Sequence, residues 1–163
     1  MANSVGGFLP GDVLLKDQGA TPEQIATHPH PFYTPIATFG EEYALQPVAY
    51  GLKFAGLLSG STFYKADLSA ELQTAGIDAS AYGAKLPGGH ASVIVLNKDA
   101  ASDLDLTLDF GAASGKVEIE TLHGPALDSR EARIEKSGKM ENLPNGRCRI
   151  TVPRASGIRL TVA

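Results

Sequence analysis

The chain has 163 residues, enough to bury one core, with room for one domain and an appendage. Its net charge is −4, with 14 basic and 18 acidic residues spread along the sequence. No basic run of the kind that follows a phosphate backbone is present, so nucleic acid is not expected as a partner. The longest apolar stretch is too short and too interrupted to cross a bilayer, so no membrane partner is expected either.

Residues 1–40 differ from the rest of the chain because they are rich in proline and have little periodicity. Prolines occupy positions 10, 22, 29, 31 and 35 of this stretch. Residues 1–7 contain neither a basic nor an apolar region, so no signal peptide is predicted in this chain. We predict an irregular N-terminal segment, poorly ordered over residues 8–31 where a larger protein does not support it.

One helix is predicted over residues 47–59. Pro47 suits the first helical position, and Gly60 suits the stop. An apolar stripe recurs at helical spacing and consists of Val48, Leu52, Ala55 and Leu58. We expect this stripe to pack on the rest of the domain. The other apolar side chains of the helix are Tyr50, Phe54 and Leu57. We expect either that the chain self-associates through them or that residues 1–40 fold over them.

From residue 61 the hydrophobic period changes to two, the period of a half-buried strand. The turn signals Pro87-Gly88-Gly89 and Pro144-Asn145-Gly146 separate such segments. Strands are predicted near residues 62–68, 80–86, 91–96, 104–110, 117–122, 131–136, 147–152 and 158–162, with 91–96 as a central strand. The predicted fold class is mainly β: an antiparallel β-sandwich of about eight strands, with one preceding α-helix and an irregular N-terminal segment.

Few polar residues are candidates for metal binding or catalysis. His28 and His30 lie in a proline-rich loop without a third ligand at a suitable spacing, which favours solvated histidines. Asp103, Asp105 and Asp109 resemble a calcium ladder, but they form the polar side of an amphipathic strand. The sequence therefore predicts no metal site, no cofactor and no catalytic residue.

The remaining candidates also favour structural roles. Glu41 and Glu42 are adjacent, so their side chains point apart and do not form a catalytic carboxylate pair. His90 and His123 flank strands without an evident base or nucleophile as partner. Cys148 is the only cysteine and lies on the apolar side of an alternating segment, so a buried structural thiol is predicted.

Several short segments follow one another in a recognisable order over about residues 33–163. They are Tyr33-Thr34-Pro35-Ile36, Tyr50-Gly51-Leu52-Lys53-Phe54 and Asn97-Lys98-Asp99. In order and spacing they resemble the C-terminal region of family-79 glycoside hydrolases, the β-glucuronidases and heparanases. In that family a Tyr-Ser/Thr-Pro-Ile segment follows the last barrel strand. A helix with a Tyr-Gly-Leu-x-Phe pattern comes next, and then a β-sandwich whose middle strand ends in Asn-Lys-Asp.

The resemblance implies a division of the chain and a substrate class. Residues 1–60 would be a remnant of the catalytic barrel, a loop plus the last helix, and residues 61–163 the C-terminal β-sandwich domain. The family hydrolyses glucuronic-acid glycosides with retention, using two glutamates on earlier barrel strands. This chain has no glutamate in the matching context, so we predict that it is inactive alone. The expected partners are the remainder of the barrel and, through the full-length enzyme, an acidic glycan.

The resemblance also implies one substrate-binding residue. Tyr33 matches the tyrosine that lies near the glucuronate carboxylate, where its hydroxyl can donate a hydrogen bond. A neighbouring backbone amide that relatives supply is not expected here, because Pro31 has no N–H. Secretion or a periplasmic location fits such a parent protein.

A second interpretation is a non-catalytic carbohydrate-binding or structural β-sandwich module. Binding modules present a row of exposed aromatic side chains on one sheet face. This sequence has no tryptophan, and Phe110 is the only aromatic residue after Tyr82. The composition thus argues against a binding platform, whereas a purely structural module remains open.

Overall fold

A computed structural model describes residues 35–39, 42–66, 76–111, 115–126 and 131–162 of the chain. Its elements in chain order are β1 (Ile36–Phe39), β2 (Glu42–Leu45), α1 (Pro47–Gly56), β3 (Thr62–Tyr64), β4 (Ala79–Lys85), β5 (Ala91–Asn97), β6 (Leu104–Asp109), β7 (Val117–His123), β8 (Arg133–Glu135), β9 (Met140–Leu143), β10 (Arg147–Val152) and β11 (Ser156–Val162). None of these elements is a helix long and apolar enough to span a bilayer.

The strands from β3 onward form two antiparallel sheets that face each other. The larger sheet has six strands in the order β3-β4-β5-β11-β7-β8, and the smaller has three in the order β6-β10-β9. The predicted fold class is therefore confirmed, and β5 is the inner strand that its apolar run predicted. Before the sandwich, β1 and β2 pair with each other in a separate hairpin.

The main core lies between the two sheets, where the alternate side chains of four strands meet. Its buried members are Val93 and Val95 of β5, Leu104 and Leu106 of β6, Cys148, Ile150 and Val152 of β10, and Ile158 and Leu160 of β11. Exposed and buried residues alternate strictly along β10, as the period of two predicted. This core is what fixes the strand registers, because a slip of one residue would turn each apolar set outward.

A second core lies on the outer face of the six-stranded sheet, where α1 packs. Phe54 of the helix and Leu58 in the turns after it are buried there, against Ala84 of β4 and Ile94 of β5. Gly157 of β11 permits the close approach, because a Cβ at that position would lie 3.2 Å from Cε1 of Phe54 and 2.8 Å from Cδ2 of Leu96. A glycine in the middle of a strand commonly marks such a close contact.

The predicted packing face of the helix is only partly correct, because Leu58 of the predicted stripe is buried but its other members are not. Val48 and Leu52, which were expected in the core, are 36% and 45% exposed, whereas Phe54 is only 2% exposed. Helical spacing identifies an apolar stripe but does not say which part of a wide stripe meets the neighbour. Here the neighbour is a sheet with a glycine in β11, and the large ring of Phe54 fills that space.

An ion pair attaches the C-terminal end of the helix to the sheet. Arg159 of β11 donates from Nε to Oε2 of Glu120 at 2.7 Å and from an Nη atom to the carbonyl of Leu57 at 3.2 Å. The Leu57 carbonyl is one of the acceptors that the last turn of a helix leaves without an intrahelical partner. A cation at this position also favours the negative end of the helix dipole.

The side chain of Asn97 joins the two sheets at the end of β5. It is 1% exposed, and its Nδ2 atom donates to the carbonyls of Ser102 at 2.9 Å and Val152 at 3.2 Å. Its Oδ1 atom accepts from the amide of Asp99 at 3.1 Å. The backbone leading to β6 and the end of β10 are therefore attached to the same buried amide.

Three local features differ from the sequence-based expectations. The helix ends at Gly56 and continues as turns to Gly60, so the predicted end at residue 59 falls in those turns. Residues 36–39, which were assigned to the irregular segment, and residues 42–45, for which no strand was predicted, form the β1–β2 hairpin. Strand β9 was not predicted. Strands β1, β2 and β9 have four residues each, which are too few to establish a period.

Replacing Asn97 with alanine is expected to reduce the free energy of unfolding by about 1–3 kcal/mol, because carbonyls of two segments lose their donor and the one at Val152 is buried. Urea denaturation followed by circular dichroism measures this loss. Asn142 on β9 is exposed and provides the matched control, for which the same substitution should change stability by less than about 0.5 kcal/mol. Equal effects at the two positions would contradict the role assigned to Asn97.

Candidate docking surface

The substrate-binding residue predicted from the sequence, Tyr33, lies outside the described residues. The same holds for His28, His30 and Glu41. The role of Tyr33 toward a glucuronate carboxylate therefore stays a prediction. The side chain of Glu42 also lies outside the described part, whereas the aspartates, His90, His123 and Cys148 can be located.

The three aspartates of the calcium-like pattern accept separate hydrogen bonds. Oδ1 of Asp103 accepts from the Arg154 amide at 2.9 Å, and Oδ1 of Asp105 accepts from the Thr151 hydroxyl at 2.5 Å. Oδ1 of Asp109 accepts from the amide of the turn glycine that follows β6 at 2.7 Å. No group of three acidic, histidine or cysteine side chains converges on a metal position within the described part of the chain.

His123 has a partner that the sequence reasoning missed. Its Nε2 atom lies 3.1 Å from Oε2 of Glu135, and Nε of Arg133 lies 2.7 Å from Oε1 of the same carboxylate. The pair arises because β7 and β8 are antiparallel neighbours with His123 opposite Arg133. The signal in the sequence was the alternation Arg133-Ile134-Glu135, which places both charged residues on one side of a strand. His90 is exposed after the β4–β5 turn.

Cys148 is the buried thiol that its position in the alternating segment predicted. It is 3% exposed and belongs to the core between the sheets. Burial raises the pKa of its thiol, since the charged thiolate is poorly solvated there. The raised pKa lowers the fraction of nucleophilic thiolate at neutral pH, in keeping with a structural role.

The outward side of α1 carries apolar residues that no other part of the described chain covers. Leu45 before the helix is 52% exposed, and Val48 and Leu52 on the helix are 36% and 45% exposed. Leu52 follows Val48 by four residues, so both lie on one side of the helix. The opposite side holds Phe54 in the second core.

Two exposed aromatic residues share the outer face of the six-stranded sheet with this helix. Phe63 of β3 is opposite Ala84, and Tyr82 of β4 is opposite Ile94, in the strand register. Residues directly opposite each other point to the same face of a sheet. Because Ala84 and Ile94 pack against the helix, Phe63 and Tyr82 point to that side as well, where they are 61% and 48% exposed.

We refer to these five residues, Leu45, Val48, Leu52, Phe63 and Tyr82, as the docking surface. All five are among the large apolar side chains that the described part of the chain exposes. Exposed apolar side chains that lie side by side are typical of surfaces that meet another protein or another domain. This applies to Val48 and Leu52 on the helix and, separately, to Phe63 and Tyr82 on the sheet. The arrangement supports binding of an apolar partner surface and offers no group for acid–base chemistry.

Comparison with known proteins gives similarity at the level of structure. No protein-family model matches the chain, and no curated protein matches its sequence. A family-51 arabinofuranosidase from Xanthomonas axonopodis pv. citri superposes with a TM-score of 0.58 at 15% identity, over 79% of this chain and 28% of the other. The chain shares its fold with part of a glycoside hydrolase.

Two further solved structures give the same result. The catalytic domain of the family-30 xylanase C from Talaromyces cellulolyticus superposes with a TM-score of 0.57 at 11% identity, over 79% of this chain and 27% of the other. A family-51 α-L-arabinofuranosidase from Bifidobacterium longum superposes with a TM-score of 0.54 at 17% identity, over 80% of this chain and 29% of the other. The chain thus spans less than a third of the length of these three enzymes. Their names give families 51 and 30, so the resemblance to family 79 stays a prediction.

Phe54 and Leu52 are expected to respond in opposite ways to truncation, because one is buried and the other is exposed. Phe54→Ala should lower the free energy of unfolding by about 3–5 kcal/mol, since it empties the contact over Gly157. Leu52→Ala, on the same helix, should change it by less than about 0.5 kcal/mol. Chemical denaturation of both variants measures the difference. A larger loss for Leu52→Ala would restore the packing face predicted from the sequence.

Proposed function

We propose that this chain is the C-terminal portion of a retaining glycoside hydrolase that acts on glycosides of glucuronic acid. In this proposal its β-sandwich supports a catalytic barrel, and the barrel holds the catalytic glutamates outside this chain. The observation that carries the proposal is the fold, which the chain shares with part of several glycoside hydrolases at TM-scores between 0.54 and 0.58. The finer substrate class rests on the resemblance to family 79.

One family-like segment has a position that agrees with the proposal. Strand β5 ends at Asn97, and Lys98 and Asp99 follow directly. This is the place at which the family pattern has Asn-Lys-Asp, at the end of a middle strand. Lys98 binds Asp78 across the chain at 2.5 Å, and Asp99 accepts two backbone amides of the next turn. The segment therefore supports the sandwich and not the chemistry.

Three glutamates on the described strands form ion pairs with arginines, which fits a supporting domain. Glu120 binds Arg159, Glu135 binds Arg133, and Glu141 binds Arg149. A retaining hydrolase needs two carboxyl groups about 5–5.5 Å apart on either side of the scissile bond. A carboxylate that is held by an arginine on the same sheet is poorly suited to serve as a general acid.

The docking surface supplies the contact that a supporting domain requires. Val48 and Leu52 on α1, together with Phe63 and Tyr82, offer apolar area on the outer face of the six-stranded sheet. We propose that the remainder of the barrel covers this area in the longer protein. The helix can transmit such a contact because Phe54 and Arg159 fix it to β11. When the barrel is absent, the same area would promote self-association of the chain.

A non-catalytic carbohydrate-binding module is the second candidate function. The specific observation in its favour is that Phe63 and Tyr82, on neighbouring strands, are exposed on one face of the sheet. Aromatic rings of this kind can stack on sugar rings. Titration of the isolated chain with glucuronic-acid oligosaccharides separates the two functions, because a barrel-supporting domain should give no saturable binding.

The isolated chain is expected to release no aglycone from an aryl β-glucuronide, whereas the longer protein that contains the barrel should hydrolyse it. The reason is that both catalytic carboxylates lie outside this chain in the proposal, and their loss removes most of the rate enhancement. A chromogenic assay at matched protein concentrations measures the difference. Activity that stays with the isolated chain through exhaustive purification would disprove the proposed division of labour.

Replacing Tyr33 with phenylalanine in the longer protein is expected to lower kcat/KM for an aryl β-glucuronide by about 10- to 100-fold, the usual effect of losing a hydrogen bond to a charged group. The corresponding β-glucoside lacks the carboxylate, so its kcat/KM should change by less than about 3-fold. Tyr82→Phe is the matched control. An equal loss on both substrates would mean that Tyr33 does not contact the carboxylate.

A further inference from the structure

The turn between β9 and β10 contains an asparagine followed by a glycine. Residues 144–146 form this turn, and Asn145 at its centre is exposed to solvent. The φ angles of Asn145 and Gly146 are 63° and 71°, in the left-handed region that these two residue types adopt most readily. The chain has four asparagines, and only this one precedes a glycine.

Two groups of this turn make no hydrogen bond to any other residue that the structure describes. They are the carboxamide of Asn145 and the main-chain N–H of Gly146. The contacts that hold the turn use carbonyl groups instead. The Gly146 carbonyl accepts from the amide of Phe110 at 3.1 Å, and the Pro144 carbonyl accepts from Nε of Arg147 at 3.3 Å. The nitrogen and the carboxamide that follow each other in the chain are therefore both free.

A free main-chain nitrogen can react with the carboxamide of the residue before it. The nitrogen of Gly146 loses its proton and forms a bond to Cγ of Asn145. The bond between Cγ and Nδ2 then breaks, and the displaced group takes up a proton and leaves as ammonia. Water opens the resulting cyclic imide at either carbonyl, which yields aspartate or isoaspartate. Glycine favours the first step because it has no Cβ to obstruct its own nitrogen.

We propose that Asn145 is a site of spontaneous modification, at which cyclisation onto Gly146 and hydrolysis convert the asparagine to aspartate and isoaspartate. Asparagine is among the residues that are chemically labile in proteins. The turn can open locally because it joins β9, a strand of four residues in which Glu141 and Asn142 are exposed. Segments with few buried contacts open at a low cost in free energy. The proposal does not rest on the proposed function.

The other asparagines of the described part lack this combination of features. Asn97 is 1% exposed, its carboxamide is hydrogen-bonded through both Nδ2 and Oδ1, and Lys98 follows it. Asn142 is exposed like Asn145, but it lies within β9 opposite Cys148, and a leucine follows it. In both cases the following residue has a side chain next to the nitrogen that would have to attack. Asn97 and Asn142 therefore serve as internal comparisons.

Isoaspartate at this position would change the edge of the three-stranded sheet. It adds one carbon atom to the main chain, because the peptide then continues through the former side chain. A turn of three residues that places Leu143 opposite Arg147 cannot take up this extra length without a shift. Pairing of β9 with β10 would loosen, and Met140, which packs against the main core, would lose its support.

Incubation of the full chain at neutral and mildly alkaline pH tests the proposal. Peptide mapping by mass spectrometry, with fragmentation that separates aspartate from isoaspartate, follows the gain of about 1 Da at each asparagine. Asn145 should convert at least about 10-fold faster than Asn142, because glycine leaves its nitrogen unobstructed. The rate should rise with pH, since the attacking nitrogen must be deprotonated. Conversion of Asn145 no faster than that of Asn142 would overturn the proposal.

Two variants locate the reaction. Asn145→Gly retains a residue that accepts a positive φ, so the hairpin should form, and the mass gain of the peptide that spans residues 140–147 should disappear. Asn142→Gln removes the neighbouring asparagine and should leave that gain unchanged. A gain that persists in Asn145→Gly would place the modification at another residue and overturn the assignment.

Hydrogen exchange measures the effect on the sheet. In the isoaspartate form, the amides of β9 that bond to β10 should exchange at least about 10-fold faster than before, whereas those of β5 should stay unchanged. The Asn145→Asp variant carries the same new charge without the extra main-chain atom, and its β9 amides should exchange as in the unmodified chain. Equal exchange of β9 in all three forms would contradict the loosening of the sheet.

Discussion

The buried amide of Asn97 is the interaction on which the arrangement of the sandwich depends. Apolar packing between two sheets holds them together but tolerates sliding, because it has little directional preference. The hydrogen bonds of Asn97 are directional, and they join the end of β5 to the carbonyls of Ser102 and Val152. The amide is almost fully buried, so leaving its donors without acceptors would be costly. One side chain thereby fixes how the smaller sheet sits on the larger.

The fold could be predicted where the period of the sequence was long and regular. The alternation around Leu104, Leu106 and Leu108 specified β6, and the turn at Asn145 and Gly146 specified the β9–β10 connection. Both residues of that turn have positive φ, 63° and 71°, which asparagine and glycine adopt most readily. Strand β9 itself was missed because it has only four residues, of which Met140 and Leu143 at its ends are apolar. Its position comes from pairing with β10, which no local pattern contains.

The site was harder to predict than the fold because it depends on contacts between distant segments. The choice of Phe54 over Leu52 as the buried residue of α1 is decided by Gly157, a hundred residues further along the chain. Likewise, the partner of His123 lies on another strand. The sequence could place apolar and charged residues on their elements, but it could not say which elements would be neighbours.

The contact of Phe54 with Gly157 has a mechanical consequence for whatever presses on α1. The ring lies against the backbone of β11, and β11 is an inner strand whose other face belongs to the core between the sheets. At Gly157 the strand contributes no side chain of its own between its backbone and the ring. A load applied to Val48 or Leu52 would therefore pass into the centre of the sandwich with little local yielding. In the proposed function, the helix would therefore keep the barrel at a more constant distance from the sandwich than a flexible linker could.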